Sequence, residues 1–292
     1  MYLDCTLGIG GHLETMVKNI PSLKKAIGIE RDERNLELAK LRLKSTLNKS
    51  ELEKVVFVHN SFAEISLIAQ QAHVDRHITS MLYDLGISSV HIDDSSRGFS
   101  LNKEGPLDMR FDNMQSLRAS DILATYSEDA LTELFKVYGE EPHGRKLARA
   151  IVHDRKTKPF LKTTEFRDFI GRILGSSPGN NPANRIFQAL RIEVNQELEH
   201  IEISLNGAIE QLAPGGKLAV MSFHSLEDRI VKNIFRNAAK TCVCKKEILR
   251  CICRNKPLVK LLTKKPISPS SQEIQKNSRA RSAKLRVVER LS

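Results

Sequence analysis

The stretch Met1-Tyr2-Leu3-Asp4-Cys5-Thr6-Leu7-Gly8-Ile9-Gly10-Gly11-His12 constrains the fold more than any other part of the chain. A short apolar strand runs into a glycine-rich turn, and the turn opens a helix near His12. Glycines carry no Cβ, so the backbone can turn sharply and approach a ligand closely. The first N–H groups of the helix point back at the turn. An ordinary tight turn would look the same, so spacing has to decide. In a doubly wound sheet the second strand ends in an acid about 20 residues on, where it grips ribose hydroxyls. Ala26-Ile27-Gly28-Ile29-Glu30 is such a strand, and Glu30 stands at that distance from Gly10. Strand, glycine turn, helix, strand and acid together predict an α/β, Rossmann-like sheet built around a nucleotide-like cofactor.

The dinucleotide fingerprint places a third glycine where this chain has Leu13. With Asp4 and Thr6 ahead of it, the turn resembles the first motif of S-adenosylmethionine-dependent methyltransferases more than that of a dehydrogenase. A nicotinamide-dependent oxidoreductase is the alternative on the same sheet, and the missing glycine counts against it.

Residues 54–59 form a third strand by their β-branched content. It ends in Asn60-Ser61-Phe62, where the Phe62 ring either flanks an adenine or fills the core. A fourth strand, 80–87, carries Asp84. In open α/β sheets the chemistry sits at the carboxyl ends of strands, which makes Asp84 the leading catalytic candidate. The βα alternation then stops. A long polar stretch, 88–112, precedes helical segments at 119–137, 145–155, 164–174 and 185–212. This pattern predicts an all-helical insertion at 106–195, between a first part of the sheet domain at 1–105 and a second part at 196–292. Strand character returns at 217–225, a helix follows at 226–237, and 281–290 adds a last strand. His224 is a second candidate proton acceptor or a structural histidine.

The 292 residues are 40% hydrophobic, enough for a core, which excludes a disordered chain. No apolar run has membrane-spanning length and no signal-peptide pattern opens the chain, so no membrane association and a cytoplasmic setting are expected. The net charge of +11 is uneven: residues 240–292 hold 15 Lys and Arg against 3 Glu, and the rest is nearly neutral. A concentrated basic segment suits a phosphate backbone; a solvated tail is the other reading. Cys5 reads as a small apolar filler. Cys242-x-Cys244 and Cys251-x-Cys253 could supply four thiolates to a structural zinc, although C-x-C is less typical than C-x-x-C. The alternative is a basic hairpin with reduced cysteines. No metal is assigned to the catalytic site.

Seven blocks carry a specific resemblance. They are Asp84-Leu85-Gly86-Ile87-Ser88-Ser89, Asp93-Asp94-x-x-Arg97-Gly98-Phe99-Ser100, Gly105-Pro106-Leu107-Asp108-Met109-Arg110, Tyr138-Gly139-Glu140-Glu141, Phe187-Gln188-Ala189-Leu190-Arg191-Ile192, Ser222-Phe223-His224-Ser225-Leu226-Glu227-Asp228-Arg229 and Arg279-Ala280-Arg281-Ser282-Ala283-Lys284-Leu285-Arg286. From Asp4 to nearly the C-terminus the chain resembles the bacterial 16S ribosomal RNA (cytosine-N4)-methyltransferase family. The resemblance implies a class I methyltransferase sheet with an inserted helical domain and S-adenosylmethionine as donor. It implies a cytosine of the decoding centre, in the small ribosomal subunit, as acceptor. It places cofactor contacts on Gly10, Gly11, His12, Glu30, Phe62, Asp84 and His91. Arg97, Arg110 and Arg191, with the basic tail, would hold the RNA backbone, intramolecular salt bridges being their other possible role. The chain departs from the family in having Glu30 for an aspartate, Val90-His91 for Pro-Gln and Ser278 for a proline. The family also has a segment before the first strand, resembling His-x-Pro-Val-Leu, with which this chain does not begin. A non-catalytic RNA-binding or ribosome-assembly factor is the second reading.

Overall fold

The computed structural model describes residues 1–175, 181–244 and 252–292. The chain divides into two units, Met1–Gly86 with Leu198–Ser292, and Ile87–Glu197.

In the first unit, β1 (Tyr2–Asp4), α1 (Gly11–Asn19), β2 (Ala26–Glu30), α2 (Glu33–Thr46), α3 (Lys49–Leu52), β3 (Val55–His59), α4 (Ile65–Gln71) and β4 (Ile78–Asp84) follow one another. The strands are ordered β3-β2-β1-β4, all parallel. The direction of sheet growth therefore reverses beside β1, and Asp4, Glu30 and Asp84 end the three central strands there. Side chains alternate across the sheet as the pleat requires. Ile27 and Ile29 join a core with Ile65 and Ile68 of α4. Ala26 belongs to another core, with Leu13 and Val17 of α1 and Leu36, Ala39 and Leu43 of α2. Gly28 lies on that second face, where a Cβ would come within 2.7 Å of Leu7 and 3.0 Å of Leu13. The close helix–strand approach usually given by a third glycine of the turn is thus supplied from the strand, and Leu13 fits where that glycine would be.

The helical unit holds α5 (Ser89–Asp93), α6 (Ala119–Thr125), α7 (Glu128–Val137), α8 (Gly144–Asp154), α9 (Thr163–Leu174) and α10 (Pro182–Asn195). It begins at Ile87, which corrects the boundary expected at 106. Phe99, Leu107 and Met109 belong to the helical core, and Pro106 forms a bridge with Lys162, so 87–105 belong with the helices rather than the sheet. The expected helix 119–137 is two, because Ser127 caps a new helix by accepting from the Ala130 N–H. The expected helix 185–212 is broken at Gln196, which adopts a left-handed φ of 53° and separates α10 from α11 (Glu197–Gln211).

The chain then completes the sheet with β5 (Leu212–Ser222), α12 (Ser225–Ala238), β6 (Val259–Leu261), α13 (Ser271–Lys276) and β7 (Lys284–Arg290). β5 extends the parallel sheet beside β4, and β7 inserts antiparallel between β5 and β6. This seven-stranded order is the Rossmann-like class I methyltransferase sheet expected from the sequence. β6 is only three residues long and has no periodicity to betray it. The basic segment is built into the sheet rather than left as a tail: Asp228 on α12 pairs with Arg286 at 2.7 Å and Lys284 at 3.4 Å. Among the described residues, no helix is long and apolar enough to cross a membrane.

Candidate active site

The site is assembled where β1, β2 and β4 end. After β1 the chain folds over the strand tips. Cys5 is buried, as a small filler should be, and Thr6 Oγ1 accepts the Asp84 N–H at 2.7 Å, clamping the turn to β4. Gly8 and Gly10 both have positive φ, 54° and 82°. Gly10 is the left-handed cap of α1 and carries no side-chain cap; a Cβ there would also press on Leu43 at 3.0 Å. Gly11 carries no such demand, since its Cβ would meet only the Arg42 side chain at 3.8 Å.

Three acids converge on this turn. Glu30 accepts the Gly8 N–H at 2.8 Å with one oxygen and the Asp32 N–H at 2.8 Å with the other. It thus ties the glycine turn to the end of β2. Each carboxylate oxygen has a second lone pair, so acceptor capacity remains for a diol. Desolvation pushes the Glu30 carboxyl up to about 7, against the pull of those N–H groups. Asp4 is fully buried and accepts from Thr6 N at 3.3 Å and the Tyr2 hydroxyl at 3.4 Å. Burial raises its pKa, and the neighbouring His12 draws it back.

Asp84 points one oxygen at His12 Nε2, 3.4 Å away. That hydrogen bond raises the pKa of the imidazole from its ordinary value. The other oxygen, Oδ1, is buried and has no hydrogen-bond partner among the described residues. A buried acceptor without a donor is costly, and this one fits a ligand or substrate N–H. Phe62 follows β3, with its ring edge-on to Tyr83 at 5.7 Å. Its carbonyl is held by Ser204 Oγ, which also lies 2.6 Å from the Tyr83 hydroxyl. Gly10, Gly11, His12, Glu30 and Asp84 are therefore brought to one end of the sheet, with Phe62 at the end of the adjoining strand. Sequence reasoning missed Gly28, although a glycine inside a strand is itself a sign of close approach. It also missed Tyr2.

The remaining sequence candidates have structural jobs. His91 belongs to the helical unit, where it is 5% exposed, packs against Phe99 and Phe111 and caps α5 together with Ser88. Arg97 donates to the carbonyls of Arg110 and Phe111. Arg110 pairs with Asp108 at 2.7 Å and reaches the carbonyls of Asn113 and Gln115. Arg191 forms a two-pronged pair with Glu197 at 2.8 and 3.0 Å. The three arginines expected on RNA are thus internal braces, their guanidinium forks matched to carboxylates and carbonyls. His224 is the N-cap of α12, and its Nε2 lies 3.1 Å from Glu227 Oε1.

The profile of the MraW methylase family matches residues 1–291. The chain is 42% identical to "Ribosomal RNA small subunit methyltransferase H" of Halothermothrix orenii, over all of this chain and 92% of that protein. It is 41% identical to the protein of the same name from Caldicellulosiruptor saccharolyticus, over all of this chain and 93% of the relative. The Fusobacterium nucleatum protein of that name is 42% identical over 99% of this chain and 90% of its own length. With one profile covering nearly the whole sequence and relatives matched end to end at this identity, the chain belongs to the MraW methylase family.

Proposed function

We propose that the protein transfers a methyl group from S-adenosylmethionine to the exocyclic N4 of a cytosine in the decoding centre of 16S rRNA, in the small ribosomal subunit. Family membership and relatives named for small-subunit rRNA methylation support the reaction class and the RNA. The observation that carries the chemistry is the buried, unpartnered Oδ1 of Asp84 beside the glycine turn. When bound, the cofactor supplies an activated methyl on a sulfonium. The residues present fit it: the Gly10–Gly11 turn and His12 suit its amino-acid end, the spare lone pairs of Glu30 suit its ribose diol, and Phe62 suits its adenine.

The protein's own contribution is alignment and proton handling. A cytosine amino group is a poor nucleophile because its lone pair is delocalised into the ring. Asp84 accepts one N4–H, turns the lone pair toward the methyl and receives the proton that the product sheds. His12, held near Asp84 Oδ2, keeps that carboxylate oriented. The target base must leave its stack to reach this end of the sheet. With the three arginines engaged internally, backbone attraction falls to exposed lysines of the basic segment, such as Lys260, Lys264, Lys265 and Lys276.

The test is nucleoside mass spectrometry of unmethylated small subunits incubated with the protein and S-adenosylmethionine. New N4-methylcytidine is expected, and none with Asp84→Ala. RNA binding with neither product nor cofactor binding would replace this reading with that of an assembly factor.

A further inference from the structure

We propose that Cys242, Cys244 and Cys253 bind a structural Zn2+ that pins the connection between α12 and β6. The sulfurs of these three residues lie within 4.8 Å of one another, and Cys253 Sγ is 3.8 Å from Cys242 Sγ. Zn–S bonds of about 2.3 Å in a tetrahedron put neighbouring sulfurs about 3.8 Å apart. A disulfide would need about 2.05 Å. The Val243 N–H points at Cys253 Sγ at 3.5 Å, a contact that favours a thiolate.

Two hydrogen bonds hold the described flanks of the thiols together. Leu258 N–H donates to the Ala238 carbonyl at 2.7 Å, and Asn255 Nδ2 donates to the Lys240 carbonyl at 2.6 Å. Between these anchors the described residues form neither helix nor strand. Three thiolates around a divalent ion leave a net negative charge, and Lys240, Arg254 and Lys256 stand next to the cysteines in sequence to offset it. Cys251, the fourth thiol of the two C-x-C pairs, lies outside the described residues, and the assignment rests on the other three.

The experiment is elemental analysis of the full chain, purified untagged with reductant and without chelator. One zinc per chain is expected, falling to less than a tenth in Cys242→Ser and in Cys253→Ser, and unchanged in Cys5→Ala. Because a variant could fail to fold, the wild-type protein is also stripped with a chelator and titrated with Co2+. One equivalent taken up with the visible bands of tetrahedral thiolate cobalt supports the site. Stoichiometric iron, zinc retained in the serine variants, or reduced protein that takes up no Co2+ would overturn it.

Discussion

Charge is handled in opposite ways in the helical unit and at the carboxyl end of the parallel strands. In the helical unit, buried charge is matched locally: Arg110 with Asp108, Arg185 with Glu141, Arg191 with Glu197, and Arg97 with two carbonyls. At the sheet end, three acids crowd together. Glu30 is pushed up to about 7, Asp4 is raised by burial, and one oxygen of Asp84 has no donor among the described residues. In the helical unit the matching avoids the cost of a stranded buried charge. The sheet end instead holds carboxyls whose protonation is shifted by burial and one buried acceptor without a donor among the described residues, the pattern of a site rather than of a brace. The contrast warns against reading arginines in a motif as ligand contacts. Guanidinium groups serve architecture as readily as recognition, and what separates the two uses is whether a partner is already present.

The largest test of this contrast is Asp84→Asn. If the unmatched acceptor handles the proton, single-turnover methylation should fall by ~10²–10⁴-fold, with the melting temperature little changed. A large drop in melting temperature instead would place Asp84 among the braces. The counterpart in the other unit is Arg191→Ala, which strands Glu197 and should destabilise the protein by about 3 kcal/mol in denaturant unfolding. Its remaining folded fraction should bind RNA with an unchanged salt slope. A slope reduced by about one would return Arg191 to the phosphate backbone.

Smaller effects probe the turn. Gly10→Ala must hold an L-residue at φ 82° against Leu43, at a cost of about 1–2 kcal/mol. The expected readout is a weaker Kd for S-adenosylhomocysteine by calorimetry, while Gly11→Ala should bind nearly as wild type. The smallest effect is in pH. Below about 7 Glu30 becomes protonated and loses an acceptor for the ribose, so cofactor affinity should weaken on acidification by up to about tenfold per pH unit. Glu30→Gln should flatten that profile. Stability moves the other way. The folded Glu30 keeps a proton that the unfolded chain releases from about 4.5 upward, so its contribution is most favourable below that pH and declines as pH rises to about 7.

The gathering of the candidate residues at one end of the sheet was legible in the sequence because it depends on local spacing. The interval from Gly10 to Glu30 reports a βαβ unit, and Asp84 follows from its place at a strand end. What escaped is which of several possible partners the fold selects, even one as near as Asp108 to Arg110 or Glu197 to Arg191. Nothing beside Arg97 or Arg191 announces which carbonyls or carboxylate the fold will supply. Gln196 breaks a helix by adopting a left-handed conformation that an amphipathic pattern does not encode. The insertion boundary was placed late because residues 87–105 are polar and irregular on paper, yet Phe99 anchors them in the helical core.

The placement of β7 also governs the order in which the molecule can be completed. β4 must find β5 across the whole of residues 87–197, and β7 must then seat itself between β5 and β6. Non-local pairing of this kind slows folding. The sheet cannot close until β7 is in place. Until then β5 presents an open edge, a template for strand pairing with other chains.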